Sequence, residues 1–372
     1  MPTSDSVDGT AFRLTERLWS VLFASDLTGF AVTVLTALGT PPATAEVVAR
    51  SLVESDLRGH DSHGVRRLVP YAALARSGAL QVAAEPRVLP DTPPAVAIVD
   101  GQDAFGQLTA LMASTELVRR VRQTGIAIAV LRRCQHTGRL GEYVERIADA
   151  GHIALAMANA DPTVAPWGGR DRMLGTNPYA CAVPVPGGAA PLVVDFATSA
   201  IAEGKLAIAR AAGKKVPAGL VVDADGHATT DPDDFYAGGA LLPFGGHKGY
   251  GLGLIADLVA GLLSGAGSAS SPEYGGSFGT VLIAVNTAAF VDVETFANDV
   301  ERLRDRLHTS APASDSERVL VPGEPEWATR THRLEHGIAV APRILDDLDR
   351  LAAEVGVPGL GSTSSSTAEP RR

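Results

Sequence analysis

Between residues 95 and 286, short apolar runs alternate with segments that are long enough to form helices. Each run has the length and composition of a buried strand. The runs are AVAIVD (95–100), IAIAVL (126–131), IALAMAN (153–159), GTNPYACAVPVP (175–186), LVVDFATS (192–199) and VLIAVN (281–286). Helices are predicted between them at about 106–124, 139–150, 201–212 and 250–263. The pattern therefore predicts a central α/β domain built on a mixed sheet.

The two ends of the chain have helical patterns instead. Pro41 and Pro42 open a helix that runs to about Arg58, because proline is favoured in the first turn. Ser62 is placed to cap a helix that continues through Ser77. Residues 293–308 and 342–354 are amphipathic, so we expect the two ends to pack together as a second, all-helical domain. The expected division is a disordered N terminus (1–10), helical (11–85), α/β (86–290), helical (291–358) and a disordered tail (359–372).

Charge and cysteine content exclude several classes of function. The net charge is −10, from 32 Lys and Arg against 42 Asp and Glu, whereas a non-specific nucleic-acid binder needs a basic face. Cys134 and Cys181 form no CxxC or Cys/His cluster, so neither a metal site nor a disulfide framework is expected. No apolar run reaches the ~18–20 residues of a membrane span. The opening MPTSDSVDGT lacks the order of a signal peptide, so a soluble cytoplasmic protein is expected.

The segment GHDSHGVRR (59–67) is the first candidate site. On a helix that starts at Ser62, His63, Arg67 and Tyr71 share one face, because they lie four residues apart. A histidine can give or take a proton near neutral pH, and an arginine one turn away can bind a carboxylate through two N–H groups. The alternative is a surface helix whose arginine pairs with nearby acids.

Polar residues also follow two of the predicted strands, where sites collect in α/β domains. His136 follows the strand at 126–131, and its alternative role is that of a loop histidine bonded to the backbone. Asp161 follows the strand at 153–159, and Thr176 and Asn177 lie in a second turn close behind it. Two Gly/Pro turns so close together indicate either a site loop or a subunit contact.

The segment FGGHKGYGLG (244–253) feeds a predicted helix. A glycine loop at a helix start can hold phosphate on its backbone N–H groups, and Lys248 could neutralise a diphosphate. Gly251, Gly253 and Ala256 match G-x-G-x-x-A, but no strand precedes them, so a Rossmann site is rejected. Close glycine-mediated packing is the alternative. The turn LVPGEP (320–325) indicates little by itself.

Seven segments in this order resemble the malate/L-lactate dehydrogenase family, which is unrelated to the Rossmann-type lactate and malate dehydrogenases. They are ESDLRGHDSHGVRRLVPY, VAPWGG, GTNPYACAVP, VVDFATS, KKVPAGLVVDADGHATTDP, GGHKGYGLGL and VPGEPE. The resemblance spans about residues 12–355, and seven ordered motifs are far more specific than any one of them. The family includes ureidoglycolate dehydrogenase, diketogulonate reductase, sulfolactate dehydrogenase and piperideine-2-carboxylate reductase.

The resemblance implies a non-Rossmann nicotinamide-binding domain at 86–290, a homodimer, and NAD- or NADP-dependent hydride transfer at a 2-oxo, 2-hydroxy or cyclic imino acid. The stripe FRLTERLWSVLF (12–23) is apolar enough to mark a subunit interface. The implied catalytic residues are His63 as proton donor, Arg67, His136 and Asp161. The implied substrate contacts are Ser62, Tyr71, Thr176 and Asn177. The implied cofactor contacts are Val194, Asp195, Phe196, His247, Lys248, Gly323, Glu324 and Pro325.

The sequence departs from the family pattern at three positions. Cys134 stands where many members have Ser, Thr137 where they often have an aromatic residue, and Leu220 where Trp is common. The first two lie at or beside the implied pocket, so the substrate stays open, as does the choice between NAD and NADP. Reduction of an imine is a second hypothesis, in which His63 matters less as a proton donor because the imine nitrogen is usually already protonated. A homologue that binds cofactor without turnover is a third, and the intact His63, Arg67 and Lys248 argue against it.

Overall fold

The structure is a computed structural model that describes residues 20–185, 190–211, 213–272, 274–276 and 278–362. Its strands, in chain order, are Ser20–Leu22 (β1), Arg87–Val88 (β2), Val96–Asp100 (β3), Ile126–Arg132 (β4), His152–Ala158 (β5), Tyr179–Val183 (β6), Leu192–Phe196 (β7), Val221–Val222 (β8), Ala228–Thr229 (β9), Ala240–Leu241 (β10), Thr280–Asn286 (β11) and Ile338–Val340 (β12). A seven-stranded sheet in the order β2-β3-β4-β11-β5-β6-β7 forms the centre.

The α-helices connect and cover these strands. They are Ala24–Ala37 (α1), Pro42–Leu57 (α2), Leu68–Ser77 (α3), Gly106–Thr124 (α4), Gly141–Asp149 (α5), Glu203–Ala211 (α6), Pro232–Tyr236 (α7), His247–Ala256 (α8), Val293–His308 (α9), Glu324–His336 (α10) and Pro342–Val355 (α11). Helix α8 continues directly into a π-helical segment, Asp257–Leu262.

The central sheet is mixed, as the sequence predicted. Strands β3 and β4 pair in parallel and are joined by α4, while the other pairs of the described sheet are antiparallel. Helix α4 buries Ala110, Ala113, Leu117 and Val121, which recur at helical spacing and pack with the sheet. The π-helical segment contacts β5 and β11, and its Ala260 shares a separate small core with Val281 of β11. One parallel pair in seven strands is not a doubly wound Rossmann sheet.

A second core joins the two ends of the chain. Side chains from α1, α2, α3 and α11 meet in it, and they include Leu27, Leu35, Leu52, Leu68 and Leu348, none of which is exposed to solvent. The ends are not purely helical, because β1 pairs with β12 in an antiparallel ribbon, so Ser20 faces Val340. The described residues begin at 20. The predicted disordered N terminus (1–10) therefore lies wholly outside them, and so does most of the predicted stripe 12–23.

The predicted helix from Ser62 is wrong in its first two turns. Two 3₁₀ turns, Asp61–His63 and Val65–Arg67, precede α3, and Gly64 between them is extended. Gly64 has no room for a side chain, because a Cβ there would lie 1.6 Å from a carboxylate oxygen of Asp56. Ser62 caps no helix; its hydroxyl meets the His63 ring instead. The close packing on Asp56 breaks the helix and presents His63 on a turn.

Three other segments differ from the predictions. The helix predicted from 250 begins earlier, at His247. The stretch between α6 and α8 holds a small sheet of β8, β9 and β10 with α7, whereas no helix or strand was predicted there. Within the predicted tail, Leu360 is buried in a 3₁₀ turn that spans 360–362, and residues 363–372 lie outside the described residues.

Membrane-spanning helices and metal-binding clusters are both absent from the described residues. None of their helices combines the length and the apolar character needed to cross a bilayer. No group of three or more His, Cys, Asp or Glu side chains in the described ranges is placed to hold a metal ion.

Candidate active site

His63 lies on the 3₁₀ turn between α2 and α3. Its Nδ1 is 2.9 Å from the hydroxyl of Ser62, which orients the ring. The buried carboxylate of Asp56 accepts the backbone N–H of Val65 at 2.8 Å, and this hydrogen bond fixes the turn to the end of α2. Arg333 of α10 donates to the backbone carbonyl of Asp56 and to the Asp61 carboxylate. The turn that carries His63 is therefore held by contacts from both ends of the chain.

His136 follows β4 and stacks beside His63. The two ring centroids are 5.4 Å apart, and the rings are 21° from parallel. Nδ1 of His136 meets the Tyr71 hydroxyl at 2.9 Å and accepts the N–H of Gly138 at 3.3 Å. Gln107 donates to the Tyr71 oxygen at 2.8 Å, which leaves the Tyr71 hydrogen for His136. An Nδ1 that accepts hydrogen bonds carries no proton, so neutral His136 holds its proton on Nε2.

Arg67 supplies positive charge to this cluster. Its guanidinium lies 5.7 Å from the centroid of the Tyr71 ring, and its buried Nε has no hydrogen-bond partner among the described residues. Burial and then the Arg67 charge lower the pKa of His63 to about 3. The same two causes hold the pKa of His136 well below its usual range. Both imidazoles are therefore neutral at pH 7 beside a cation that forms no salt bridge within 4.0 Å in the described part of the chain, an arrangement that suits an anionic ligand.

Asp161 lies within electrostatic reach of this cluster. Burial raises the pKa of its carboxyl group, and the nearby Tyr274 and the charge of Arg67 act in the opposite direction. Phe278 packs edge-on against His136, with ring centroids 5.7 Å apart. The structure thus brings together five predicted site residues, Ser62, His63, Arg67, Tyr71 and His136, with Asp161 within electrostatic reach of Arg67.

Thr176 and Asn177 form hydrogen bonds with other groups of the protein. Asn177 is fully buried with φ of 33°; its amide oxygen accepts the N–H of Ala160, and its amide nitrogen donates to the carbonyl of Gly253. The carbonyl of Thr176 accepts both the N–H and the hydroxyl of Thr198. These contacts favour a structural role for Asn177, which ties the Asp161 turn to α8, over the substrate contact predicted for it.

The segment Val194-Asp195-Phe196 divides its side chains between two tasks. Val194 and Phe196 are over one-third exposed on β7, and Phe196 packs edge-on against Phe244. The Asp195 carboxylate instead accepts the N–H of Gly141 at 2.7 Å, at the start of α5. Burial raises the pKa of Asp195 against the charge of nearby Arg139. The apolar pair offers a surface, while the carboxylate holds the sheet to α5.

The glycine loop before α8 has a left-handed backbone and packs closely on Trp167. Gly245 and Gly246 have φ of 55° and 62°, and a Cβ on Gly246 would lie 2.9 Å from the Trp167 ring. His247 and Lys248 follow in the first turn of α8 and are both exposed. Lys248 has no acidic partner within 4.0 Å in the described part of the chain.

The turn Gly323-Glu324-Pro325 packs on the edge of β7. Gly323 has φ of 96°, and the N–H of Val193 donates to the carbonyl of Pro322 at 3.2 Å. The Glu324 carboxylate lies 2.9 Å from His308 and accepts the N–H of Val321 at 3.1 Å. A cavity of about 460 Å³ opens beside this turn.

Comparison with known proteins identifies the family. The sequence profile described as Malate/L-lactate dehydrogenase matches residues 23–349. The chain belongs to the malate/L-lactate dehydrogenase family. Malate dehydrogenase of Pyrococcus abyssi is 36% identical over 346 residues, 90% of this chain and 95% of that protein. L-lactate dehydrogenase of Cupriavidus necator is 38% identical over 332 residues, 87% of this chain and 95% of that protein.

A solved structure gives the same assignment. Δ1-piperideine-2-carboxylate reductase of Pseudomonas syringae superposes with a TM-score of 0.78 at 34% identity, over 90% of this chain and all of that one. The resemblance inferred from the seven motifs is confirmed, and so is the mixed, non-Rossmann fold. As a member of this family, the chain is an oxidoreductase of the dehydrogenase and reductase type.

Three residues that shape the candidate site were missed in the sequence. Gln107, Tyr274 and Phe278 belong to segments with no chemical motif, and each reaches the site through the fold. For Gln107 a signal existed, since it is a polar residue in the first turn of a helix whose buried face is otherwise apolar or small. Nothing in the sequence near Tyr274 and Phe278 distinguishes them from other loop aromatics.

Proposed function

We propose that this protein transfers a hydride between NAD or NADP and a small 2-oxo or 2-hydroxy acid. The observation that carries the proposal is the pair of neutral, stacked imidazoles of His63 and His136 beside Arg67, whose buried Nε has no hydrogen-bond partner among the described residues. A cation of this kind suits a substrate carboxylate, because guanidinium and carboxylate match in a bidentate geometry. With its carboxylate on Arg67, the substrate would place its hydroxyl or carbonyl oxygen beside the imidazoles, which can exchange a proton with it.

Each side chain of the cluster has a distinct role in this proposal. Arg67 binds the substrate carboxylate. His63 exchanges the proton with the substrate oxygen, and Ser62 orients its ring. His136 donates from Nε2 to the same oxygen, because Tyr71 and Gly138 occupy its Nδ1. Asp161, whose pKa responds to the charge of Arg67, adds a carboxyl group near this cation.

The described residues also fit a dinucleotide. The Gly245-Gly246 turn stands at the N-terminal end of α8, where backbone N–H groups can bind phosphate. Lys248, in the first turn of α8, has no acidic partner within 4.0 Å among the described residues. Val194 and Phe196 give an exposed apolar surface of the kind an aromatic ring covers. A bound reduced nicotinamide would supply the hydride. The choice between NAD and NADP stays open.

The reaction needs opposite proton movements in its two directions. When a 2-oxo acid is reduced, its oxygen gains negative charge and His63 donates a proton to it. When a 2-hydroxy acid is oxidised, neutral His63 takes the hydroxyl proton. The pKa of about 3 in the free protein makes His63 ready for oxidation. A carboxylate on Arg67 cancels part of the charge that lowers this pKa, so substrate binding makes protonation of His63 easier.

Reduction of a cyclic imino acid is the second candidate, and its support is the similarity to the Pseudomonas syringae reductase. A protonated imine loses its charge on hydride transfer, so His63 would position the substrate without donating. A homologue that binds cofactor without turnover is the third candidate.

The deciding experiment mixes purified protein with NADH or NADPH and a panel of 2-oxo and cyclic imino acids, and follows absorbance at 340 nm. Cofactor binding without turnover of any 2-oxo acid would contradict the proposal.

Lys248→Ala tests the cofactor site. If Lys248 contacts phosphate, its loss should cost roughly 1.5–3 kcal/mol, which raises the Kd of the cofactor about 10- to 150-fold. The KM of the acid substrate should change far less. Fluorescence titration with NADH and NADPH measures the Kd, and the equally exposed Lys214→Ala is the matched control. A cofactor Kd within twofold of wild type would mean that the loop only packs.

We also expect a homodimer. Ile255, Leu258 and Leu262 lie at three- to four-residue intervals along α8 and its π-helical extension, and are 50%, 40% and 54% exposed. Such a row of exposed apolar side chains marks an interface, and a two-fold contact is the commonest kind. Sedimentation at micromolar concentration should give about twice the chain mass. Changing all three to Glu should give monomers, whereas Leu303→Glu on α9 should not. A monomeric wild type would refute the expectation.

The cytoplasmic location inferred from the sequence stays a prediction.

A further inference from the structure

The described residues 264–272, 274–276 and 278–279, which we call the wall segment, run from the π-helical segment to β11. The wall segment touches the candidate site at two points. Phe278 packs edge-on against His136, at 5.7 Å and 84° between the rings. Tyr274 lies beside Asp161, whose charge, together with burial, raises the pKa of the phenol.

One anchor of the wall segment is Asp257, at the first position of the π-helical segment. Its side chain is fully buried. The carboxylate accepts the hydroxyl of Ser268 at 2.5 Å and the N–H of Ala269 at 3.2 Å. The amide of Asn159 adds a longer contact of 3.3 Å. A buried carboxylate is stable only where donors surround it, so these contacts hold Ser268 and Ala269 firmly in place.

Asn159, also fully buried, is the second anchor and forms hydrogen bonds near both ends of the wall segment. Its amide nitrogen donates to the carbonyl of Gly267 at 2.9 Å, and its amide oxygen accepts the N–H of Gly279 at 2.8 Å. Gly261 is required beside it, because a Cβ there would lie 2.6 Å from the Asn159 amide nitrogen. Phe278, next to Gly279, therefore has little freedom to move away from His136.

The π-helical turn places Asp257 where this anchoring is needed. Such turns are rare within α-helices and occur frequently at functional sites. Here the turn coincides with the residue that fixes the wall segment, and the wall segment carries Phe278, whose ring packs against that of His136.

We propose that Phe278 is a specificity-determining residue that limits the size of the substrate side chain, and that Asp257 and Asn159 are positioning residues that hold it against His136. This inference rests on the proposed function, because it takes His136 to contact the substrate oxygen. A rigid aromatic ring beside that contact leaves room for a small group on the carbon next to the carbonyl. A bulky group would have to displace Phe278, which the two anchors oppose.

Phe278→Ala tests the size limit. The measured quantity is the ratio of kcat/KM for phenylpyruvate to kcat/KM for pyruvate. We expect the variant to raise this ratio at least about tenfold, since a few carbon atoms in a packed pocket discriminate by this order. Phe290→Ala, at a 63% exposed position after β11, is the matched control and should leave the ratio unchanged. A Phe278→Ala ratio within twofold of wild type, with the melting temperature retained, would overturn the proposal.

Asp257→Asn tests the positioning role. It keeps the size of the side chain but replaces one acceptor oxygen by a donor, which faces the Ser268 and Ala269 donors. We expect the selectivity ratio to rise as in Phe278→Ala, the cofactor Kd to stay within twofold, and the double variant to add little, because both changes act on one wall. A lower melting temperature with a wild-type ratio would show that Asp257 is merely structural.

The inference can be tested separately from the proposed function. Calorimetric titration of the protein saturated with NAD⁺ or NADP⁺ gives the Kd of pyruvate and of phenylpyruvate without turnover. If no acid is turned over, the proposed function fails, but the ratio of these two Kd values still reports the size limit. If neither acid binds, or if Phe278→Ala leaves the Kd ratio unchanged, the inference fails as well.

Discussion

His63→Asn is expected to lower kcat for the best 2-oxo acid by about 100-fold or more, because general acid catalysis contributes typically 10²–10⁴. Asparagine is close to the imidazole in size and can still contact Ser62, but it cannot supply the proton. The alkoxide that forms during hydride transfer then has no donor at this position. The measurement is steady-state kcat of both proteins with a saturating reduced cofactor.

The pH dependence gives this prediction a sign. Because burial and the Arg67 charge lower the pKa of His63 to about 3, the ring is neutral in the free protein. Oxidation uses neutral His63 as the base, so kcat/KM for the 2-hydroxy acid should stay level from about pH 5 to 8, with no limb near the usual ~6.5. Reduction needs the protonated ring, so kcat/KM should fall about tenfold per pH unit over this range. His63→Asn should remove that slope.

Three outcomes would change the assignment of His63. If the substrate is a 2-oxo acid and the variant keeps over a third of kcat, as a rough threshold, His63 is not the acid. His136 would be the next candidate, since its Nε2–H already faces away from Tyr71. A loss near tenfold, mostly in KM, would indicate imine chemistry. A large loss with an unaltered pH profile would point to a collapsed turn, which circular dichroism and cofactor affinity would detect.

Local patterns predicted most of the sheet and several helices. The strand β4 and the helix α4 follow from an apolar run, a helical repeat and a stop at Gly125, which has φ of 77°. These signals act within a few residues of each other, so a single sequence is enough to find them. His63 was singled out because its motif is contiguous, although it was expected on a helix and lies on a 3₁₀ turn.

Features that depend on distant partners were missed or misassigned. Helix α10 buries none of its residues fully, so it has no strong apolar repeat to predict it. Arg330 and Arg333 attach it to Glu54 and Asp61, more than 270 positions away. The same holds for Asn177, whose amide is used by backbone groups 17 and 76 positions away. Residue type alone does not distinguish such a buried amide from one that awaits a substrate.

Arg67→Met is expected to lower kcat/KM for the acid substrate at least about 30-fold, mainly through KM, because truncating one partner of a desolvated charge pair costs roughly 2–5 kcal/mol. Methionine keeps the apolar length of the side chain beside Tyr71 but carries no charge. Arg67→Lys should recover only part of the loss, since an ammonium cannot bind a carboxylate in the bidentate fork. Arg66→Met, at the neighbouring cation, is the matched control and should change KM only slightly.

The Arg67→Met variant has a second readout that mere unfolding would not produce. The Arg67 charge lowers the pKa of both His63 and His136. Without it, both pKa values should rise, although burial keeps them below the ordinary value. Oxidation needs neutral His63, so the acid limb of kcat/KM should move to higher pH in the variant. An unchanged KM together with an unshifted acid limb would mean that Arg67 neither binds the carboxylate nor tunes the histidines, and the substrate anion would then have to bind elsewhere in the cleft.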